Sequence, residues 1–202
     1  VTDGGVFEST RLFSSELVGA TSAITVDGPG SRLDLLGASS GSVAVALIGR
    51  DGVSTMDVTN GGTVNIDSTS GIVTGLAGGL LIGGSGSGTG AGDGPVNVTG
   101  PGSTINIANE NASIQVGRNG TGKLNITAGG KLTNVPGNAA MVIGRTALST
   151  GTVVVSGAGS ELQAGSDLVI GSEFDFTNRA LLAGGGTGTV SYTHLRAPET
   201  DS

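Results

Sequence analysis

The sequence predicts an all-β fold, a right-handed parallel β-helix (a solenoid) of about five rungs of 27–34 residues. Three observations predict it. Two glycine signatures alternate along the chain: Gly28-Pro29-Gly30-Ser31, Asn60-Gly61-Gly62, Gly100-Pro101-Gly102-Ser103, Ala128-Gly129-Gly130 and Gly157-Ala158-Gly159-Ser160. Between them recur apolar-Gly marks at Ile48-Gly49, Ile82-Gly83, Val116-Gly117, Ile143-Gly144 and Ile170-Gly171, in steps of 34, 34, 27 and 27 residues. A period in this range means stacked units that share one continuous core. Around every mark, apolar residues alternate with Thr, Asn, Asp, Gln or Ser, the period-two pattern of one-sided strands.

Taken in chain order, residues 1–21 are expected to form an N-terminal cap or a degenerate rung, because Leu12, Phe13, Leu17 and Val18 fit a helical face only loosely. The repeat domain spans 22–189. Before each Gly-x-Gly-Ser corner lie Ile24 and Val26, Val96 and Val98, Val153 and Val155; after it come Leu33 and Leu35, Ile105 and Ile107, Leu162 and Ala164. Met56, Val58, Val64 and Ile66, then Leu124, Ile126 and Leu132, flank the Gly-Gly corners. Ala46/Ile48, Leu80/Ile82, Ile114/Val116, Met141/Ile143 and Leu168/Ile170 complete the expected inward set. The same element returns in the same orientation each rung, so stacked strands should run parallel. The low-complexity segment 83–94 reads as a Gly-rich loop bulging from one rung.

Composition excludes several function classes. Sixteen acidic residues against nine basic give a net charge of -7, which repels phosphate backbones and anionic lipid. Aromatics are 2% of the chain, too few for base-stacking platforms. Nucleic acid is therefore not an expected partner. No apolar run reaches the roughly 18 residues of a membrane helix, so this segment is not expected to insert. The chain has no cysteine and does not begin with Met, and it reads as an internal fragment.

The repeat fails near the end. After Gly186-Thr187-Gly188-Thr189, the string from Val190 to Ser202 resembles the conceptual translation of a transposon-end sequencing adapter, VSYTHLRAHET, with Pro198 where that pattern has His. Residues 190–202 are accordingly read as a non-native tail and excluded from functional argument.

Several motifs were weighed for chemistry. Gly117 to Lys123 approaches a phosphate-binding P-loop, but Leu124 follows where a hydroxyl and a helix are required. The G-x-G spacings of 84–94 precede a strand, not the helix a dinucleotide site needs. Gly90-Ala91-Gly92-Asp93-Gly94 is a single copy of a calcium-repeat fragment, whereas such sites are built from tandem copies. Acid–base catalysis needs two or three carboxylates converging on one face. Among Asp27, Asp34, Asp57, Asp67, Glu161, Asp167, Glu173 and Asp175, the equivalent positions Asp34, Asn106 and Gln163 read as an outward polar row. Glu173-Phe174-Asp175, placed in a loop, is the strongest remaining pair. No catalytic, cofactor-binding or metal-ligating residue is assigned. Arg50, Arg118 and Arg145 share the slot after the apolar-Gly mark, and such a row offers surface contact to a sulfated or carboxylated glycan. Gly84 and Ser172 interrupt it.

With the repeats aligned, Val96 to Val135 and Thr152 to Gly171 resemble the glycine-rich repeats of bacterial autotransporter passenger domains. Their grammar, V-x-G-x-G-S, a polar spacer, then L-x-V-G-x-x-G-x-G-x-L-x-I-x-x-G-G-x-L, appears here as Val155-Ser156-Gly157-Ala158-Gly159-Ser160 followed by Asp167-Leu168-Val169-Ile170-Gly171. The Trp usual after G-S is missing. The resemblance implies a non-catalytic, secreted or cell-surface structural or adhesin passenger fragment forming a rigid stalk. It would be displayed at the outer membrane and be covalently continuous with a translocator or anchor. Host or neighbouring-cell surface proteins or glycans are the implied partners. The rival expectation is an extracellular polysaccharide-acting β-helix enzyme, a lyase or hydrolase.

Overall fold

The computed structural model describes residues 1–37, 44–68, 78–84, 92–109, 112–136, 140–175, 180–182 and 185–193, with no helix among them. The first rung is β1 (Val6–Ser9), β2 (Arg11–Phe13) and β3 (Thr21–Asp27), and the second is β4 (Arg32–Gly37), β5 (Val45–Ile48) and β6 (Val53–Thr59). Next come β7 (Thr63–Ser68), β8 (Gly79–Ile82) and β9 (Asp93–Thr99), then β10 (Thr104–Ile107), β11 (Ser113–Val116) and β12 (Thr121–Thr127). The fifth rung is β13 (Lys131–Asn134), β14 (Met141–Ile143) and β15 (Thr150–Ser156). The last is β16 (Glu161–Ala164), β17 (Leu168–Ile170) and β20 (Thr187–Thr193), interrupted by the antiparallel hairpin of β18 (Glu173–Asp175) and β19 (Ala180–Leu182). Each rung gives one strand to each of three parallel six-stranded sheets. This is the expected all-β parallel solenoid.

Register follows the period-two pattern. In the third sheet Ile24, Met56, Val96, Leu124 and Val153 lie in one row and Val26, Val58, Val98, Ile126 and Val155 in another. In the first sheet Leu33, Val64, Ile105, Leu132 and Leu162 do the same. With the inward residues of the second sheet they form one continuous core. Each such side chain contributes roughly 1.5–3 kcal/mol on burial. Polar residues also take inward positions: Ser54, on the face of Met56 and Val58, is buried and accepts from Ser22 Oγ at 2.9 Å. Asn134 takes the position of Ile107 in the next rung, is buried, and donates from Nδ2 to the Ala112 carbonyl at 3.0 Å.

Five corners join the third sheet to the first and a sixth leads into β1, and their alternation has a physical cause. The serine of each Gly-x-Gly-Ser corner, buried at Ser31 and Ser103 and half-buried at Ser160, reaches the rung before it. Ser31 Oγ accepts from Gly4 N–H at 3.0 Å, Ser103 Oγ from Gly61 N–H at 3.1 Å, and Ser160 Oγ from Gly129 N–H at 3.0 Å. Those glycines belong to corners of the other type, Asp3-Gly4-Gly5, Asn60-Gly61-Gly62 and Ala128-Gly129-Gly130, whose first residues hold φ of 56°, 51° and 51°. A Cβ on Gly62 would run into the Val26 carbonyl oxygen. The two signatures are thus the two halves of a two-rung unit.

The first 21 residues hold β1 and β2 and no helix, and Ser15 takes the left-handed slot (φ 52°) that Gly49 fills one rung later. Four expectations need revision. The second sheet does not alternate: β5, β8, β11 and β14 are buried at every position, on both faces. Leu168 and Ile170, expected inside, are about half exposed because no strand pairs with the outer edge of β17. Glu173–Asp175 is a hairpin strand rather than a loop, and Asp93 and Gly94 open β9 instead of closing the Gly-rich loop. Residues 85–91 of that loop lie outside the described residues. The third-sheet pairing continues to Thr193, past the position where the sequence repeat is lost.

Candidate functional site

The outer face of the first sheet carries a row fixed by register: Glu8, Asp34, Asn65, Asn106, Thr133 and Gln163. Neighbouring strands place these about 4.8 Å apart, within reach of side-chain hydrogen bonds. Thr133 Oγ1 donates to Asn106 Oδ1 at 3.0 Å, Asn106 Nδ2 to Asn65 Oδ1 at 3.0 Å, and Asn65 Nδ2 to Asp34 Oδ1 at 2.7 Å. Every bond points the same way, towards the one carboxylate that only accepts. Asp34 is buried and its other oxygen receives Arg32 Nε at 2.6 Å. Beside this row lies an open groove of about 350 Å³, lined by Arg32, Asp34, Leu36, Asn65, Asp67, Asn106 and Ala108. Its donors and acceptors suit a polyhydroxylated chain, and Asp34 and Asp67 are the two acids it gathers.

The third sheet repeats the device. Asn125 Nδ2 donates to Asn97 Oδ1 and Asn97 Nδ2 to Asp57 Oδ1, both at 2.7 Å. Asp27 accepts from Thr59 Oγ1 at 2.5 Å and Asn60 Nδ2 at 2.7 Å. The Thr59 bond first, and Asn60 second, hold the Asp27 carboxyl below the usual carboxylate range. Glu161 pairs with Lys131 at 2.9 Å. The acids are thus distributed over different sheets, and most of them terminate ladders or ion pairs. The side chains of Glu173 and Asp175 lie outside the described residues. The segment 117–123 leads into strand β12, which is the corner reading of the P-loop-like string. No group of three metal-ligating side chains occurs among the described residues.

The three arginines follow β5, β11 and β14, and the structure treats them differently. Arg50 is satisfied: its guanidinium meets Glu16 at 3.1 Å and Asp51 at 3.8 Å and lies 5.9 Å above the Phe13 ring. Arg145 donates to Gln115 Oε1 at 3.3 Å. Arg118 is only 7% exposed, and its Nε has no hydrogen-bond partner. Burial, and then the neighbouring Arg145 charge, push its pKa down to about 10. Comparison with protein-family models, curated proteins and solved structures returned no match. The passenger-domain resemblance therefore stands on the repeat grammar and the solenoid, and a fold by itself names no ligand.

Two residues at this corner escaped the sequence reading. Ser113 and Gln115 are buried on the outer face of β11, with Gln115 Nε2 donating to Ser113 Oγ at 2.9 Å. The positions equivalent to Gln115 are Phe13, Leu47, Leu81, Val142 and Val169, and those equivalent to Ser113 include Val45 and Gly79. The signal was available in the string Ser113-Ile114-Gln115-Val116, where the outward row turns polar for a single rung.

Proposed function

We propose that this chain is a non-catalytic segment of a secreted or cell-surface passenger, a rigid β-helical stalk whose outer polar rows make adhesive contacts. One observation carries the reading. Three sheets keep a single register through six rungs, so every outward row becomes a straight, evenly spaced line of side chains. Such a surface suits repetitive partners, the glycans or proteins of a host or neighbouring cell, with the segment joined to a translocator or anchor at the bacterial surface. Display of the chain on a non-adherent bacterium tests it. Cells bearing the chain should adhere to glycan- or cell-coated surfaces more strongly than cells bearing a scrambled control, and equal adherence would end the proposal.

A polysaccharide-acting enzyme is the second reading, favoured by Asp34 and Asp67 sharing the groove with Arg32. Incubation with polygalacturonate and alginate separates the two. Release of reducing or unsaturated ends by the chain, lost in both Asp34→Asn and Asp67→Asn, would replace the stalk with a lyase or hydrolase.

A further inference from the structure

We propose that Arg118 and Arg145 form a binding site for a single oxyanion, a sulfate, phosphate or carboxylate group, at the corner that follows the second sheet. The site does not depend on the stalk reading. The two residues stack on adjacent rungs, since Arg118 N–H donates to the Gly83 carbonyl and Arg145 N–H to the Gly117 carbonyl, each at 3.0 Å. Their backbones are therefore one strand spacing apart, about 4.8 Å. Two arginines rooted on backbones that close can direct several N–H donors to one anion, which a tetrahedral or planar oxyanion matches.

Three features distinguish this pair from an ordinary surface cation row. Arg118 is more than nine-tenths buried, and its Nε lacks a hydrogen-bond partner. A buried, uncompensated charge is strongly unfavourable, so a sequence that keeps one has either a counter-charge or a use for it. Another cation, Arg145, acts on it and raises the cost rather than offsetting it. Beneath the pair, the otherwise apolar outer row of the second sheet changes to Ser113 and Gln115. Their hydrogen bond fixes the amide so that Gln115 Oε1 receives Arg145. Departures from local pattern that are grouped on one rung are the signature of a site rather than of random drift. Arg50, by contrast, is balanced by Glu16 and Asp51, and Gly84 separates it from the pair. It falls outside the site.

Sulfate titration of the full chain in chloride buffer of constant ionic strength tests the proposal. The readouts are calorimetry and the Nε–Hε resonance of Arg118 in ¹H–¹⁵N spectra. Sulfate stabilises folded proteins generally by exclusion, so melting temperature alone is not the readout. The expected result is a saturable shift of the Arg118 resonance, binding weakened at least tenfold by Arg118→Gln and by Arg145→Gln, and binding within twofold of wild type for Arg50→Gln. A sulfated hexasaccharide and its desulfated counterpart distinguish the sources. Tighter binding of the sulfated sugar than of free sulfate, with the same Arg118 dependence, assigns a group pendant on a glycan; equal affinity assigns a free ion. An Arg118 resonance that stays fixed while sulfate rises would overturn the proposal even if neither variant folds. Equal binding by wild type and Arg118→Gln would overturn it too.

Discussion

Replacing Arg118 with Met should make the protein more stable, an unusual direction for a buried position. Holding Arg118 at a pKa of about 10, well below that of a free guanidinium, costs the charged fold on the order of 3 kcal/mol, at ~1.4 kcal/mol per tenfold change in proton affinity. Methionine keeps most of the aliphatic stem and removes the charge, the exchange that relieves buried ionic groups elsewhere. Lost guanidinium packing offsets part of the gain, leaving an expected stabilisation of about 1–3 kcal/mol at pH 7. For a chain of this size that is roughly 2–10 °C in the apparent midpoint. The comparison is made by thermal and urea unfolding, followed by circular dichroism, in chloride buffer free of sulfate and phosphate. The pH dependence supplies a second check. From about pH 10 upward, over a window that closes where a free guanidinium titrates, the unfolded chain holds a proton at Arg118 that the folded chain has released. Wild-type stability therefore rises through that window relative to Arg118→Met, and the penalty is full below it and absent above it. A variant less stable than wild type at pH 7, with a gap constant to pH 12, would show that the charge is compensated and refute the reasoning.

Three further outcomes test the corners. Ser103→Ala leaves the part-buried Gly61 N–H without its acceptor and should cost roughly 1 kcal/mol in urea unfolding; a cost near zero would show that the alternating corners are not coupled through serine. Ala128 occupies the left-handed region at φ 51°, where its homologues in the repeat are Asp3 and Asn60, so Ala128→Gly should raise stability by roughly 0.5–1 kcal/mol. No gain in midpoint would mean that the corner relaxes in the alanine form. Asp27, held below its usual range by Thr59 and Asn60, stabilises the fold above pH 3.8, and this contribution disappears as pH falls through its folded value. Asp27→Asn should flatten that acid limb of the stability curve, and an unchanged limb would assign it to other acids.

The solenoid, its parallel strands and nearly the whole inward set were legible because those properties are local. Period two requires only neighbouring residues, and Gly28-Pro29-Gly30 or Asn60-Gly61-Gly62 announce a turn by backbone preference alone. The first rung was harder. Asp3-Gly4-Gly5 is a full corner of the second type and Ser15 stands in the slot of Gly49, but one aspartate and one serine replaced the residues that define the pattern elsewhere. The outer face of the second sheet was misread for a different reason. Leu47, Leu81, Val142 and Val169 broke the polar alternation in plain view, and a row apolar on both sides signals burial on both faces. The candidate sites were less legible still. Arg50, Arg118 and Arg145 are equivalent by position, and only surroundings supplied by other rungs, Glu16 for one and Gln115 for another, make them different.

The alternation of corners follows from the same dependence on neighbours. Ser31, Ser103 and Ser160 each bond backward to a Gly-Gly corner, so bonds of this kind join the first rung to the second, the third to the fourth and the fifth to the sixth. Counted by corners, different contacts bridge the remaining steps: Thr59 and Asp27, with Asn60, link the second corner to the third, and Thr99 with Thr127 at 3.0 Å links the fourth to the fifth. A serine corner placed after the Pro29 or Pro101 corner would lose the open N–H it needs, because proline stands at the matching place. Two successive Gly-Gly corners would instead leave that N–H without an acceptor. Either substitution buries an unpaired polar group, at about 1–3 kcal/mol each. The repeating unit of this solenoid is consequently the rung pair, and a deletion or duplication that respects pairs should be tolerated where one that splits a pair is not.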